Sequence, residues 1–252
     1  MKIEQIRHGT VILHIDGKKL LVDPVLADKG TISPIEGVPN AGWNPLVPLP
    51  VPVSRVTDCD AVLVTHTHRD HFDDKAEEML DKSIPLFCQP EDGEKIRSRG
   101  FLNVTAIKDR FPWGGMTFHR TGGRHGYGAI ALKMAPVSGF VIAAPGEPVV
   151  YLTGDTVWCA CTRKAMDEFK PDIVICNCGE AKFAHGRAIT MDTADIRRIC
   201  EGYPAAKVVA VHMEAWNHCR LSRQALQEFA VSNAFDKQVF IPKDGEMLEF
   251  AL

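Results

Sequence analysis

Four residues of the kind that bind divalent metals stand together in one short stretch, His66-x-His68-x-Asp70-His71. They follow the apolar run Ala61-Val62-Leu63-Val64 and precede a polar stretch that opens Asp73-Asp74. A short apolar run bounded by polar turn residues reads as a buried strand, and the stretch after the motif is compatible with a helix. The pattern therefore predicts a strand whose end releases several imidazole and carboxylate groups at once. These are the ligands that zinc and related ions prefer. Alternation along an extended chain sends His66 and His68 the same way, and the turn redirects Asp70 and His71. One short segment cannot fill the coordination of two adjacent ions, so further ligands are expected at strand ends elsewhere.

Three more apolar runs end in a residue of the expected kind. His125 lies in the glycine-rich turn Thr121-Gly122-Gly123-Arg124-His125-Gly126. Asp155 follows Tyr151-Leu152-Thr153-Gly154, and His212 closes Val208-Val209-Ala210-Val211. His218 is close enough in sequence to compete with His212 for its role.

The rest of the chain reads as an α/β (α+β) protein of 252 residues. Strands are predicted at 3–7, 11–15, 19–22, 61–65, 86–88, 103–107, 116–120, 129–134, 139–143, 148–152, 172–176, 206–211, 238–241 and 247–250. Helices are predicted at 74–81, 90–99, 162–169, 193–201 and 222–232. Strand-rich runs with helices in both halves suit a mixed-sheet sandwich with helices outside, read as one domain over 1–252. Residues 24–53 break the pattern: they are rich in proline and lack periodicity, which suits a long surface loop or lid.

Composition narrows the function classes. Hydrophobic residues at 45% and charged residues at 24% are ordinary for a globular chain with a sizeable core. A net charge of -3 argues against a broad nucleic-acid footprint, so no nucleic-acid partner is expected. The N-terminus has no apolar signal-peptide core, and no run is long enough for a membrane span. The eight cysteines then read as reduced thiols of a cytoplasmic protein. The pairs Cys159/Cys161 and Cys176/Cys178 depart from the usual zinc-knuckle spacing and read as packing residues.

Taken together, the motif at 65–71, Leu21-Val22-Asp23-Pro24, Gly123-Arg124-His125-Gly126, Gly154-Asp155-Thr156 and His212-Met213-Glu214-Ala215 resemble, in order, the metallo-β-lactamase superfamily. Within it, the chain looks like the branch containing L-ascorbate-6-phosphate lactonase and N-acyl-phosphatidylethanolamine-hydrolysing phospholipase D. The resemblance implies a four-layer αββα sandwich with two metals at one edge between the sheets. It puts His66, His68 and His125 on one ion, Asp70, His71 and His212 on the other, and Asp155 between them. The histidine-rich set makes zinc the default, with manganese or iron as alternatives. Asp70 and Asp155 are the implied catalytic carboxylates, and Asp23 belongs to the set that supports the ligands.

The implied activity is hydrolysis of an ester, lactone or phosphodiester of a small metabolite by a hydroxide activated between two metals. Two alternatives remain open on the same fold: a di-iron redox protein and a non-catalytic metal-binding module. Those di-iron relatives typically replace the second motif histidine with glutamate, and His68 argues against them. Around the site, His185, Trp43, Trp158, Trp216 and His8 are candidates for the substrate pocket. Arg124, Lys182 and Arg187 could bind an anionic group but read first as solvated charges, and His14 and His119 read as structural. The sequence says nothing of oligomeric state.

Overall fold

The two sheets grow from runs that are apolar on both faces. In a computed structural model describing residues 1–251, β1 (Lys2–Arg7), β2 (Thr10–Ile15), β3 (Lys18–Val22), β4 (Ala61–Val64), β5 (Leu86–Cys88) and β6 (Val104–Ala106) lie side by side in chain order. The second sheet runs in the order β13-β12-β11-β10-β9-β8-β7. Its strands are β7 (Arg110–Trp113), β8 (Met116–Gly122), β9 (Ser138–Ala143), β10 (Val150–Leu152), β11 (Ile173–Asn177), β12 (Lys207–Val211) and β13 (Val239–Phe240). A last strand, β14 (Met247–Glu249), returns to pair antiparallel with β1.

Alternation sorts each strand between two cores. Leu63 of β4 and Val209 and Val211 of β12 enter the core between the sheets, with Leu13, Phe118, Phe140 and Ile142. Their neighbours Val62 and Val64 turn instead to an outer core with Phe72 and Ile96. Helices α1 (Val53–Thr57), α2 (Asp74–Met79) and α3 (Gly93–Arg97) cover this side. On the opposite side, Val208 and Ala210 face Met166, Ile196, Ile199 and Leu226. These come from α5 (Ala160–Phe169), α6 (Thr193–Gly202) and α7 (Arg223–Ser232). The result is the four-layer αββα sandwich, built because strands apolar on both faces must be covered twice. Among the described residues, no helix is long and apolar enough to cross a membrane.

Direction matters for the site. Strands β3 and β4 are parallel, as are β10, β11 and β12. Strands β1 and β8 reach the same edge through antiparallel pairs. All therefore release their following residues at one edge of the sandwich, where open sheets with such connections place ligands.

One predicted strand is a helix. Residues Ala129–Met134 form α4, a short exposed turn of helix between Gly128 at φ 60° and Pro136. Its Ala-Ile-Ala-Leu-Lys-Met sequence has strong helix formers, and a single apolar run cannot distinguish the two states by period alone. The pattern predicts no strand at 110–113, where β7 carries Pro112. The proline is tolerated because β7 is the edge of its sheet. The five-residue α1 likewise went unpredicted, and the helix expected at 90–99 is a 3₁₀ turn at Pro90–Asp92 running into α3.

Residues 24–53 fold back as a wall instead of hanging free. Val25 and Leu26 are buried, Ile32 pairs with Asn44, and Leu46 donates to the Ala215 carbonyl. The main anchor is Arg7, fully buried at the end of β1. Its guanidinium donates to the carbonyls of Val25 (2.9 Å), Ala27 (2.8 Å) and Val47 (3.0 Å). Burial lowers its pKa to about 10, yet it keeps its charge at neutral pH. Replacing Arg7 by Met leaves three carbonyls without their donor. A loss on the order of 3 kcal/mol in urea unfolding is expected, with proteolytic cleavage moving into 24–53; unchanged stability would show that the loop is held elsewhere.

Candidate metal centre

The motif does not remain extended long enough for alternation to place its histidines. Strand β4 stops at Val64, and 66–73 form an irregular turn before α2. That turn is fixed from below. Asp92 accepts the Thr67 amide (3.0 Å) and hydroxyl (2.6 Å), and the His68 carbonyl accepts the amides of His71 and Phe72 (both 2.9 Å). Asp73 caps α2 by accepting the Ala76 amide at 2.8 Å.

Seven side chains converge at the edge. Nε2 of His66 and Nδ1 of His68 come within 3.0 Å, and with His125 they form one group. Asp70, His71, Asp155 and His212 form another. Asp155 faces both: its Oδ2 is 3.3 Å from His125 Nε2, while Oδ1 is 3.3 Å from His71 Nε2 and 3.5 Å from His212 Nε2. Asp70 Oδ2 lies 3.6 Å from His212 Nε2.

These groups fit divalent ions. The Nε2 atoms of His71 and His212 are buried without a hydrogen-bond partner, although carboxylate oxygens stand close by. A tetrahedral ion with bonds of about 2.0–2.1 Å spaces its ligands about 3.3 Å apart. Buried nitrogens and oxygens at that spacing, too far for good hydrogen bonds, suit an ion shared among them.

The far nitrogens are held in turn. His71 Nδ1 meets Asp23 Oδ2 at 2.8 Å, and His125 Nδ1 meets the Ile189 carbonyl at 2.8 Å. Asp23 also accepts the Thr65 amide and hydroxyl, both at 2.7 Å. Asn177, at the end of β11, donates to Asp155 Oδ1 at 2.8 Å. Such partners fix the tautomer and aim of a ligand.

Backbone strain gathers here. His8, Asp23 and His212 all adopt left-handed φ, at 58°, 45° and 63°. Unfavourable φ values at several non-glycine positions mark a site the fold holds by force. Gly154 (φ 62°) just before Asp155 admits no side chain, because a Cβ would collide with the Ser138 carbonyl.

Electrostatics follow the crowding. Burial opposes ionisation of Asp155 and Asp70, but the histidines around each outweigh it and hold both well below the carboxylate range. Burial lowers His71 too, yet Asp155 and Asp23 overcome it and lift it to about 10. For His66 burial dominates, keeping the imidazole neutral.

A cavity of about 330 Å³ opens beside the groups, lined by His68, Asp70, His125 and His218 together with Ile35, Met134, Phe183 and Ile189. The sequence-stated pocket residues divide. His8 is buried against the site, its Nε2 3.6 Å from Asp70 Oδ2 and its ring 3.6 Å from that of His212. Trp216 is buried beneath them, 5.7 Å from His8. His185 and Trp43 are exposed and outside the cavity lining, and Trp158 packs against Tyr203 in the outer helical layer. Arg124 and Arg187 stack on the Tyr127 ring at 4.8 and 3.6 Å. Cys159 caps α5, Cys176 and Cys178 fill the helical-side core, and all eight cysteines are free thiols.

Comparison with known proteins identifies the family. Residues 18–213 match the family model described as the beta-lactamase superfamily domain, and the chain belongs to that superfamily. It is a metal-dependent hydrolase. UPF0173 protein YddR of Bacillus subtilis (strain 168) is 38% identical over 254 residues, covering 99% of this chain and 100% of that one. The crystal structure of isothiocyanate hydrolase from Delia radicum gut bacteria superposes with a TM-score of 0.96 at 37% identity, covering 100% of both chains. That of a possible metal-dependent hydrolase from Veillonella parvula DSM 2008 gives 0.95 at 37%, covering 98% of both.

Two outcomes test the ligand set. Asp23→Ala frees His71 Nδ1, and a 10- to 100-fold loss in zinc affinity by chelator competition is expected; unchanged affinity would remove Asp23 from the support. An ion must also displace the His71 proton. The folded pKa is raised above the ordinary imidazole value of 6.5, so that proton favours the ion-free fold fully below pH 6.5 and its contribution fades toward pH 10. Apparent zinc affinity should therefore climb up to about tenfold per pH unit from pH 7 to 9, with proton release in calorimetry; a flat profile would contradict the assignment.

Proposed function

We propose that this hydrolase works through two divalent ions, zinc by preference, and acts on a small uncharged substrate at an electrophilic carbon. The carrying observation is Asp155: its two oxygens face two separate groups of histidines, with Oδ2 toward His125 and Oδ1 toward His71 and His212. On this reading His66, His68 and His125 hold one ion, Asp70, His71 and His212 the other, and Asp155 is shared. Two ions so held would supply a hydroxide at neutral pH and would polarise the bond under attack. Asp70, at the cavity wall, is placed to orient the attacking oxygen.

The cavity favours carbon over phosphorus. Among the described residues its one lining arginine or lysine, Arg69, is already bound to the Ser33 hydroxyl (2.8 Å) and the Pro34 carbonyl (3.0 Å), with its guanidinium 5.8 Å over Trp216. Among the described residues, no other arginine or lysine lines it to receive a phosphate, and Ile35, Met134, Phe183 and Ile189 make much of the lining apolar. An apolar substrate with a compact reacting head fits. The 37%-identical isothiocyanate hydrolase directs us to R–N=C=S, with esters and lactones next. The reaction is R–N=C=S + H₂O → R–NH₂ + O=C=S: a C–O bond forms, the C–N bond breaks, and both water protons end on nitrogen. The motif order that resembles the ascorbate-6-phosphate lactonase and N-acyl-phosphatidylethanolamine phospholipase D branch keeps lactones and phosphodiesters in the test panel.

The test is a panel of benzyl isothiocyanate, a lactone, an ester and a phosphodiester with zinc-, manganese- and iron-loaded protein. Metal-dependent amine release from the isothiocyanate is expected. Asp155→Ala should retain its fold and lose at least about 100-fold in kcat/KM. Turnover of the phosphodiester alone, a redox-active di-iron centre, or no metal-dependent hydrolysis would overturn the reading.

A further inference from the structure

The geometry points to His218 as a further catalytic residue, one that donates a hydrogen bond to the substrate nitrogen as negative charge develops on it. The inference rests on the isothiocyanate reading above. It starts from a ring whose placement the metal groups leave unexplained. His218 belongs to neither of the two groups around Asp155, yet it lines the cavity, is almost wholly buried, and carries Nε2 to 3.6 Å from Asp70 Oδ2.

Its two nitrogens are not equivalent. Nδ1 is sealed in the interior with no hydrogen-bond partner. A buried N–H without an acceptor is the costlier orphan, and a bare ring nitrogen the more tolerable one. The tautomer that satisfies the surroundings thus places the hydrogen on Nε2, toward Asp70 and the cavity. A neutral imidazole in that state is a donor aimed at the space beside the metal groups.

The ring is also held in place. The preceding residue, Asn217, clamps this loop to 24–53. Its side-chain oxygen accepts from the Ile35 amide (3.0 Å) and Asn44 Nδ2 (3.0 Å), and its side-chain nitrogen donates to the carbonyls of Ile35 (3.1 Å) and Asn40 (2.7 Å). Asn217 N in turn donates to Asn44 Oδ1 (2.8 Å), and the His218 carbonyl accepts the Lys182 amide (3.0 Å). A donor fixed before the substrate arrives needs no reorganisation as charge appears, which is the condition for strong transition-state stabilisation. When the C–O bond forms, the electron pair of the C=N bond moves onto nitrogen, where Nε2–H can meet it. The protons that complete the amine come from water, so His218 keeps its own.

The experiment compares His218→Leu, which removes the donor, with His218→Gln, which restores one, using benzyl and 4-nitrophenyl isothiocyanate. The nitrophenyl ring spreads the nitrogen charge and lessens the need for a donor. His218→Leu is expected to lose on the order of 100-fold in kcat with the benzyl compound, clearly less with the nitrophenyl compound, and to leave KM nearly unchanged. His218→Gln should recover part of the loss. Far-UV circular dichroism and metal content by elemental analysis should match the wild type in both variants. Lost metal would make His218 a ligand, and equal losses for the two substrates, or an undiminished kcat, would make it structural; each overturns the proposal alone. Inactivity of the metal-loaded wild type toward both compounds overturns the reading of the site and this role with it.

Discussion

The Asp23 carboxylate is the point on which the metal edge depends. It stands at the end of β3, buried, and takes three hydrogen bonds: the amide and hydroxyl of Thr65 and the ring of His71. Its backbone joins in, since its amide donates to Leu63 and its carbonyl accepts the Thr10 hydroxyl at 2.7 Å. One residue thus ties β2, β3, β4 and the turn that carries four candidate ligands. A carboxylate this deep is sustained by its hydrogen bonds, and the one to His71 Nδ1 fixes which nitrogen His71 presents to the centre. The left-handed backbone at Asp23 is the local cost of aiming its carboxylate across the strand ends.

Much of this was legible in the sequence, for identifiable reasons. Ala61–Val64 and Val208–Val211 are apolar on both faces, which only a strand covered on each side explains, and each runs into a ligand-type residue. Those signals are local, so His66, His71, Asp155 and His212 stand out as candidates from the sequence alone. What escaped were partners set by tertiary approach. Asn177 touches Asp155 because β10 and β11 are parallel neighbours; the only sequence signal was a polar residue ending an apolar strand. His218, Met134 and Phe183 reach the cavity through loops with no period to read. His185 and Trp43 misled because glycine- and proline-rich segments reveal where a chain turns, not which way a side chain faces. The stretch 129–134 misled because six residues between a glycine and a proline carry too little period to separate helix from strand.

The proline-rich segment takes on a different character once folded. Its prolines limit backbone freedom before folding, and Arg7 and Asn217 bind it from opposite ends of the chain. It forms a firm wall of the cavity, contributing Ile35, while Phe183 approaches from the facing loop. The two loops meet where the Ala184 amide donates to the Gly37 carbonyl at 2.5 Å. The shape of the cavity is therefore set by backbone clasps, and its chemistry by the strand ends beneath.

The division of donors between the sheets has a mechanical consequence. His66, His68, Asp70 and His71 follow a strand of the first sheet, whereas His125, Asp155 and His212 follow strands of the second. An ion held by these candidate ligands would draw on both, and so would rivet the two halves of the sandwich along their open seam. Between them lies mainly non-directional apolar contact, which resists separation better than sliding. The rivet adds the missing resistance to shear, at the one border where the sheets must keep register for the centre to exist at all.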